Sequence, residues 1–223
     1  MRIVDPSATP LWEDLPGSVT IPPTIGASIL RRIEAAGRTA YLSEGKAGPG
    51  TAAPFVASLI KRGHESVLEH VSVSVRIVCS RGVSHELVRH RVGVGYTQES
   101  TRYCNYSKDE FRQEIAVVRP WWWNKEGAWP TQRSLWTAAM KEAEKSYFLM
   151  LQFGASPQAA RDVLPQATKT EIYTTMNLRA WRHFFELRTA KAAHPDMRAI
   201  ARPLLAEFRR VIPVVFDDVG VAE

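Results

Sequence analysis

The segment from His70 to Ser80 constrains the fold of this chain more than any other stretch of the sequence. Its apolar residues occupy every second position, and serine or arginine fills most of the positions between them. Such an alternation in β-branched residues predicts a strand that is buried on one face only. The apolar positions are Val71, Val73, Val75, Ile77 and Cys79.

Two further strands and several helices are predicted from periodicity. Residues 170–176 alternate in the same way, and residues 115–118 form an apolar run that stops at Pro120. Because strands and helices do not alternate regularly, we expect an α+β fold in which an antiparallel sheet packs against long helices. Helices are expected over 25–40, 51–62, 84–91 (capped by Ser84), 131–153, 156–164, 178–188 and 195–211, and the inner face of the 131–153 helix should carry Leu135, Ala139, Ala143 and Met150.

The length of 223 residues predicts one domain over residues 1–223, in which the proline-rich segment 1–23 is an irregular N-terminal arm. Hydrophobic residues make up 45% and charged residues 23%, which argues against a disordered chain. The two cysteines are too few for a disulfide framework, so a reducing, cytoplasmic location is expected. No stretch approaches the ~18 apolar residues of a membrane span, and no membrane partner is expected.

The charge balance suggests an anionic partner. Lysine and arginine number 29 against 23 acidic residues, a net charge of +6. The arginines are concentrated in residues 89–102 and 179–188, with no long basic block. This distribution favours a compact phosphate site over the extended basic face of a nucleic-acid-binding protein, so no nucleic-acid partner is expected.

Three groups of residues carry candidate chemistry. The first, residues 63–70, contains His64 and His70, but their spacing of six residues does not place them on one face of a helix as a zinc site requires. No metal site is expected here, and the simpler interpretation is a polar loop that caps neighbouring backbone.

The second group is Arg89-His90-Arg91, followed by a stretch with two glycines and the donors Gln98, Ser100 and Arg102. Adjacent cations repel one another unless an anion lies between them, and the forked guanidinium of arginine suits phosphate or a planar imide. The alternative is a solvated basic helix end.

The third group is the 161–165 segment together with a helix that Asn177 can cap. On this helix Arg179, His183 and Leu187 follow at steps of four residues and form one stripe, whereas Arg188 falls on the opposite side. The pattern fits contact with two anionic ligands or, equally well, one solvated face.

In combination these residues resemble the flavin-dependent thymidylate synthase family. The resemblance rests on Arg89-His90-Arg91, the Ser100–Tyr103 stretch, the 64–70 segment, the 161–165 run and the 177–188 helix, and it extends over about residues 25–212. The spacing between Arg91 and Ser100 is one residue longer than is usual in the family, with the extra residue placed within 92–95.

The resemblance implies an enzyme that reductively methylates dUMP to dTMP. Methylenetetrahydrofolate would supply the carbon and NADPH would reduce a bound FAD, in a homotetramer whose active sites are shared between subunits. The family uses no cysteine nucleophile, so Cys79 and Cys104 are expected to be structural.

The resemblance also assigns roles to individual residues. Arg188 is expected to polarise the uracil carbonyl and Ser100 to orient the nucleotide, and these two are the predicted catalytic residues. Gln98 stands where many family members have glutamate. The predicted FAD-binding residues are His64, Ser66, Glu69, Arg89, His90, Arg91, Asn177, Arg179, His183 and Leu187. The predicted dUMP-binding residues are Glu86, Gln98, Glu99, Ser100, Thr101, Arg102, Arg161 and Arg188.

Two other functions are compatible with some features of the sequence. The seven tryptophans and the basic pI of about 9.5 suit stacking on single-stranded nucleic acid. A phosphohydrolase that uses His90 would need acidic metal ligands nearby, and the arginine-rich stretch has few.

Overall fold

The structure is a computed structural model and describes residues 1–12, 24–124 and 130–220. The strands are β1 (Arg2–Val4), β2 (Ser7–Leu11), β3 (Ser72–Ser80), β4 (Val94–Gln98), β5 (Ala116–Val118) and β6 (Lys169–Asn177). The helices are α1 (Thr24–Thr39), α2 (Ala52–Lys61), α3 (Arg81–Leu87), α4 (Pro130–Gln152), α5 (Pro157–Ala160), α6 (Leu178–Thr189), α7 (Pro195–Val211) and α8 (Pro213–Phe216). Short 3₁₀ turns lie at Glu44–Lys46, Glu65–His70, Asp109–Phe111, Trp121–Asn124 and Arg161–Val163.

A four-stranded sheet has the strand order β2-β3-β6-β4. Its two central strands are antiparallel, since the Oγ of Ser74 bonds the Oγ1 of Thr175 while the amide of Arg81 donates to the carbonyl of Thr168. A separate pair, β1 and β5, is parallel, with Arg2 opposite Ala116. The predicted α+β class with an antiparallel sheet and long helices is confirmed.

The central strands form where the alternation predicted them. On β3 the five apolar positions from Val71 to Cys79 are buried, and Ser72 and Arg76 are exposed. On β6 the alternate residues Thr170, Ile172, Thr174 and Met176 are buried. One face of each strand is therefore excluded from water, which fixes the pairing register, because a slip by one residue would expose the whole apolar set.

The chain divides into two compact units. The first unit consists of Met1–Ser7, Ile77–Arg89 and Thr97–Ile172. The second unit consists of Ala8–Arg76, His90–Tyr96 and Tyr173–Glu223. Strands β3 and β6 contribute residues to both, and the single domain expected from the chain length stays a prediction.

The core of the first unit lies against α4. Met140 and Tyr147 point inward from this helix and pack with Tyr106 and Ile115. The face of α4 predicted from the sequence is partly wrong, because Leu135 is 66% exposed and Ala139 is exposed, whereas Met150 packs against the core as predicted. The buried Met140 lies one position further along the chain than Ala139, a rotation of about 100° around the helix axis.

The core of the second unit is aromatic. Trp181, Phe184 and Phe185 on α6 are fully buried, and Phe208 and Phe216 pack against them, as in the 5.3 Å separation between the ring centroids of Trp181 and Phe208. The indole nitrogen of Trp181 donates to the carbonyl of Val73 at 3.0 Å. The buried aromatic stripe therefore fixes which face of α6 remains for other contacts.

Three local predictions need correction. Residues 2–11 of the expected irregular arm form β1 and β2, and β4 was missed. Both β2, with Pro10, and β4, with Gly95, are edge strands of the four-stranded sheet, where proline and glycine interrupt fewer ladder hydrogen bonds. The rest of the arm, residues 13–23, lies outside the described residues.

The helix predicted over 84–91 begins and ends earlier. Ser80, rather than Ser84, caps α3 by accepting a hydrogen bond from the amide of Val83 at 3.2 Å. The helix ends at Leu87, so Arg89-His90-Arg91 lies beyond it. These three side chains are therefore not confined to one helical turn.

Candidate active site

The predicted site residues are distributed unevenly between the two units. Of the predicted FAD-binding residues, all except Arg89 belong to the second unit. Of the predicted dUMP-binding residues, all except Arg188 belong to the first unit. The two predicted sets thus largely coincide with two separately packed bodies of the chain.

In the second unit, helix α6 is connected to the 64–70 segment by ion pairs. An Nη1 of Arg179 lies 2.7 Å from a carboxylate oxygen of Glu69, and its Nε lies 3.8 Å from Glu65. The side chains of Arg179 and Glu69 are 52% and 46% exposed, so this contact is open to solvent and to a ligand. His64 and Ser66 in the same segment are exposed, and His64 bonds the hydroxyl of Tyr41 through Nδ1 at 3.0 Å.

His90 packs against the same helix further along. Its Nε2 accepts a hydrogen bond from the Nε of Arg188 at 3.0 Å, and its backbone carbonyl accepts one from the hydroxyl of Tyr96 at 2.7 Å. Its ring contacts those of Phe184 and His183, with centroids 5.1 and 6.0 Å away. Burial, together with the charges of Arg188 and His183, lowers the pKa of His90 to about 4. His90 is therefore neutral at pH 7.

This contact brings together two residues that the sequence placed on opposite sides of α6. The sequence placed Arg188 on the side opposite to His183, but His90 touches both residues. Arg188 is half-buried, whereas Arg89 and Arg91, on either side of His90, are exposed. Of the three residues in Arg89-His90-Arg91, the middle one is therefore the one held by the fold.

The other predicted FAD-binding residues on α6 have mixed environments. Asn177 is the helix cap, as predicted, since its Oδ1 accepts a hydrogen bond from the amide of Ala180 at 2.8 Å. His183 is exposed, and Leu187 is 48% exposed although it is apolar. Leu187 therefore continues the exposed stripe that begins with Arg179 and His183, so this surface of α6 combines polar and apolar side chains.

In the first unit, Gln98 belongs to a buried hydroxyl network. Its Nε2 donates to the Oγ of Ser84 at 2.9 Å and to the Oγ1 of Thr170 at 3.1 Å. Ser84 in turn donates to the carbonyl of Arg81 at 2.8 Å. Through this amide, Gln98 connects β4 to the hydroxyls of both Ser84 and Thr170.

Glu99, the next residue, is held by an ion pair and a hydrogen bond inside the unit. Its carboxylate accepts a hydrogen bond from the hydroxyl of Tyr106 at 3.1 Å and lies 3.0 Å from the Nζ of Lys169. The same Nζ lies 2.6 Å from Glu171. Burial and the neighbouring Glu99 charge raise the pKa of Tyr106, so this phenol remains a donor. These residues line one side of a cleft of about 460 Å³.

The segment that follows carries the predicted catalytic serine. The Oγ of Ser100 accepts a hydrogen bond from the amide of Arg102 at 3.3 Å, which shapes a tight turn. Arg102 is exposed and donates through Nε to Gln158 on α5 at 2.9 Å. Arg161 begins the 3₁₀ turn directly after α5. Thr101 is only 5% exposed, so it supports the turn from inside.

Glu86 is the last of the predicted dUMP-binding residues, and the two cysteines were expected to be structural. Glu86 lies half-buried near the end of α3. Burial raises the pKa of Cys79 to about 12 and also raises the pKa of Cys104. Neither thiol is activated as a nucleophile, since the thiolate is the reactive form. Among the described residues, no three His, Cys, Asp or Glu side chains are grouped to hold a metal ion.

Several contacting residues were missed by sequence reasoning. Tyr41 on His64, Lys169 on Glu99 and Arg182 on Glu65 each lie far along the chain from their partners. Tyr96, which bonds the carbonyl of His90, is the exception among these residues, because it lies within the arginine-rich stretch itself. The other three had no predicted role, and their contacts follow from tertiary packing alone.

Comparisons with known proteins identify the family of this chain. Residues 27–214 match the family described as thymidylate synthase complementing protein. A flavin-dependent thymidylate synthase of Geobacter sulfurreducens is 35% identical over 167 residues, which are 74% of this chain and 68% of that protein. The protein of the same name from Mycobacterium sp. (strain JLS) is 37% identical over 229 aligned positions, covering 89% of this chain and 85% of that protein. The family resemblance found in the sequence is thus confirmed.

A solved structure has the same fold. The crystal structure of a UMP/dUMP methylase, PolB from Streptomyces cacaoi bound with 5-Br dUMP, superposes with a TM-score of 0.71 and covers 97% of this chain and 96% of that chain. The identity is 23%, so the likeness concerns the fold. Within residues 1–12, 24–124 and 130–220, no helix is long and apolar enough to cross a membrane.

Proposed function

Because the chain belongs to the flavin-dependent thymidylate synthase family, we propose that it converts dUMP to dTMP with FAD as its cofactor. The reaction transfers the methylene carbon of methylenetetrahydrofolate to C5 of the uracil ring and reduces it to a methyl group. That reduction needs two electrons, which NADPH supplies, so the folate leaves as tetrahydrofolate and NADPH leaves as NADP⁺.

One observation carries the proposal: helix α6 collects two motifs that are separate in the sequence. Near its start Arg179 reaches Glu69 of the 64–70 segment, and near its end Arg188 reaches His90. These contacts join three of the five segments on which the family resemblance rests, and they lie in one compact unit.

The residues of this unit fit a flavin dinucleotide. Exposed Arg179 and Arg91 offer charged donors for a pyrophosphate, for which the guanidinium fork is suited. Exposed Leu187 and the neutral ring of His90 offer apolar and flat surfaces for an aromatic ring system. We therefore assign His64, Ser66, Glu69, Asn177 and His183, together with these four residues and Arg89, to the FAD site.

FAD, when bound, supplies hydride transfer from NADPH to the reacting carbon. The chain's own residues bind and orient the reactants. Arg188 polarises the uracil carbonyl, since a fixed cation stabilises the negative charge that develops when C5 acts as a nucleophile. His90 holds the Nε of Arg188 and so fixes the direction of the guanidinium.

The first unit supplies the nucleotide-binding residues in this proposal. Arg102 and Arg161 bind the phosphate or the uracil ring of dUMP, and Ser100 orients the nucleotide. Glu86 and Gln98 complete this set, while Glu99 and Thr101 act by shaping the turn that carries Ser100. Positioning and electrostatics, rather than a strong acid or base, supply most of the rate.

The proposed assembly is a homotetramer in which each active site takes residues from more than one subunit. Mixing of inactive variants, described in the Discussion, tests it. The proposed location remains the cytoplasm.

The function is tested by spectroscopy and product analysis. Purified protein should show flavin absorbance or quench the fluorescence of added FAD, and NADPH should bleach the flavin band more quickly when dUMP is present. With methylenetetrahydrofolate added, dTMP should form in proportion to the NADPH consumed.

The variant Arg179→Gln should weaken FAD binding, and Arg210→Gln, which removes an exposed pair with Glu207, is the matched control. Failure of the unmodified protein to bind FAD at tens of micromolar would refute the proposed function.

A further inference from the structure

Helix α6 carries a buried arginine, Arg182, between Arg179 and Arg188. Only 6% of Arg182 is exposed, and its guanidinium donates hydrogen bonds through all three nitrogens. It donates to both oxygens of Asp218, at 2.7 and 2.8 Å, and to the carbonyl of Val215. On its other side the Nε donates to Glu65 at 3.2 Å. Arg182 therefore connects the segment after α8 to the Glu65–His70 turn.

The connection continues to the surface. Glu65 also lies 3.8 Å from the Nε of Arg179, which pairs with Glu69 at 2.7 Å. The result is a chain of alternating charges from Asp218 through Arg182, Glu65 and Arg179 to Glu69. All five residues belong to the second unit. One end of this chain, the exposed Arg179–Glu69 pair, is the pair that our proposed function places in the FAD site.

We propose that Arg182 is a positioning residue that holds the Glu65–His70 turn in its FAD-binding conformation, and that Asp218 acts on the turn through Arg182. The inference rests on the proposed function, because it assigns the turn to FAD. It adds two residues, Arg182 and Asp218, to which the family resemblance gave no role.

The ion pairs of Arg182 are strong enough to hold the Glu65–His70 turn. A buried guanidinium that loses one of its carboxylate partners keeps only part of its charge compensated, which is destabilising. The hydrogen bond from Arg182 holds the pKa of Asp218 below its usual range, so the pair is ionised at neutral pH. The ion pair with Asp218 therefore favours a single position of Arg182 and, through the bond from Arg182, of Glu65.

A neighbouring arginine provides the comparison that separates positioning from general support. Arg209 on α7 holds the same C-terminal segment by donating to the carbonyls of Phe216 and Val219. Arg182, in contrast, also bonds Glu65. Loss of Arg209 should loosen the segment without releasing the turn, whereas loss of the Asp218 carboxylate should disturb both.

The test compares Asp218→Asn, Arg182→Lys and Arg182→Met with Arg209→Gln. FAD affinity is measured by fluorescence titration, and hydrogen exchange of the amides of residues 64–70 is measured without FAD. We expect Asp218→Asn to weaken FAD binding about tenfold, the effect of losing a charge-assisted hydrogen bond, and to accelerate exchange at 64–70. Arg182→Lys should retain more affinity than Arg182→Met. Arg209→Gln should accelerate exchange only at 213–219 and keep FAD affinity within about twofold.

Two results would overturn the inference: wild-type affinity and exchange in Asp218→Asn, or an equal loss of affinity in Arg209→Gln. If Arg182→Met does not fold, Asp218→Asn decides, because that side chain is 55% exposed and the change preserves its shape. If the unmodified protein binds no FAD, the proposed function fails, and the exchange data still test whether Asp218 holds the turn.

Discussion

The Nε of Arg188 donates a hydrogen bond to the Nε2 of His90 at 3.0 Å, across 98 positions of sequence. A ring nitrogen that accepts a hydrogen bond carries no proton, so the contact requires a neutral His90 with its proton on Nδ1. The fold thus fixes both the orientation of the guanidinium and the tautomer of the imidazole.

The first prediction concerns pH. The folded pKa of His90, about 4, lies below the ordinary value of 6.5, so folding favours the neutral ring. Its contribution to stability is complete above pH 6.5 and is lost as pH falls toward 4, because the unfolded chain takes up a proton that the folded chain does not. Between pH 7 and 5 the free energy of unfolding should decrease by at most about 2 kcal/mol from this residue.

Thermal unfolding of the unmodified protein and of His90→Gln checks this prediction. Glutamine can accept from Arg188 but does not titrate, so the variant should show a flatter dependence on pH between 7 and 5. His85→Gln, at an exposed histidine, is the control and should follow the unmodified protein. Parallel curves for His90→Gln and the unmodified protein would contradict the lowered pKa.

The second prediction concerns Arg188→Ala. Loss of one preorganised charged donor should reduce dTMP turnover by about 10²–10³. Arg188→Lys should rescue poorly, since an ammonium lacks the planar fork. The sequence alone predicts unchanged FAD binding, but the contact with His90 changes this expectation to a loss that is much smaller than the loss of turnover.

Turnover with deuterated NADPH and a flavin titration of the same variant separate these effects. Arg210→Ala, at an exposed arginine, is the control. Wild-type turnover in Arg188→Ala would show that the dUMP assignment of this residue is wrong. Complete loss of FAD would place Arg188 in the cofactor site.

The third prediction concerns Lys169. Its ammonium lies between the carboxylates of Glu99 and Glu171, at 3.0 and 2.6 Å, and Glu99 directly precedes the turn that carries Ser100. In Lys169→Met the two carboxylates repel each other, and the turn should shift. The KM for dUMP should rise about tenfold with a smaller change in kcat, as expected when ground-state binding is lost.

Steady-state kinetics test this effect against Lys145→Met, whose partner Glu142 is exposed. Lys169→Arg should keep most of the affinity, because it preserves the charge. An unchanged KM in Lys169→Met would exclude a role for this cluster in positioning Ser100.

The fourth prediction concerns shared sites. Arg89→Ala and Arg188→Ala should each be inactive, and a mixture of the two chains should recover up to roughly a quarter of the activity by random assortment, if the site takes these residues from different subunits. His90 and Arg188 meet within one chain, so a mixture of His90→Ala and Arg188→Ala should recover none.

Light scattering on the same samples gives the oligomeric state. A fully active monomer would refute the shared site, and recovery in the second mixture would show that the His90–Arg188 contact also forms between chains.

Local sequence patterns predicted the central strands, the start of α6 and the family of this protein. The alternation in β3 and β6 predicted both central strands, because burial of one face imposes a period of two on the side chains. The asparagine at 177 predicted the start of α6, because its side chain satisfies an amide at the end of the helix. The order of the motifs predicted the family.

Tertiary structure decided the rest. Edge strands β2 and β4 contain proline or glycine and have no clear period, so only pairing with a neighbour reveals them. The pairing of Arg188 with His90 and the burial of Arg182 between Glu65 and Asp218 depend on packing between distant segments. Periodicity reports which face of an element is buried, but not which residue of another element it meets, and that meeting determines the charge state of His90 and the partners of each arginine.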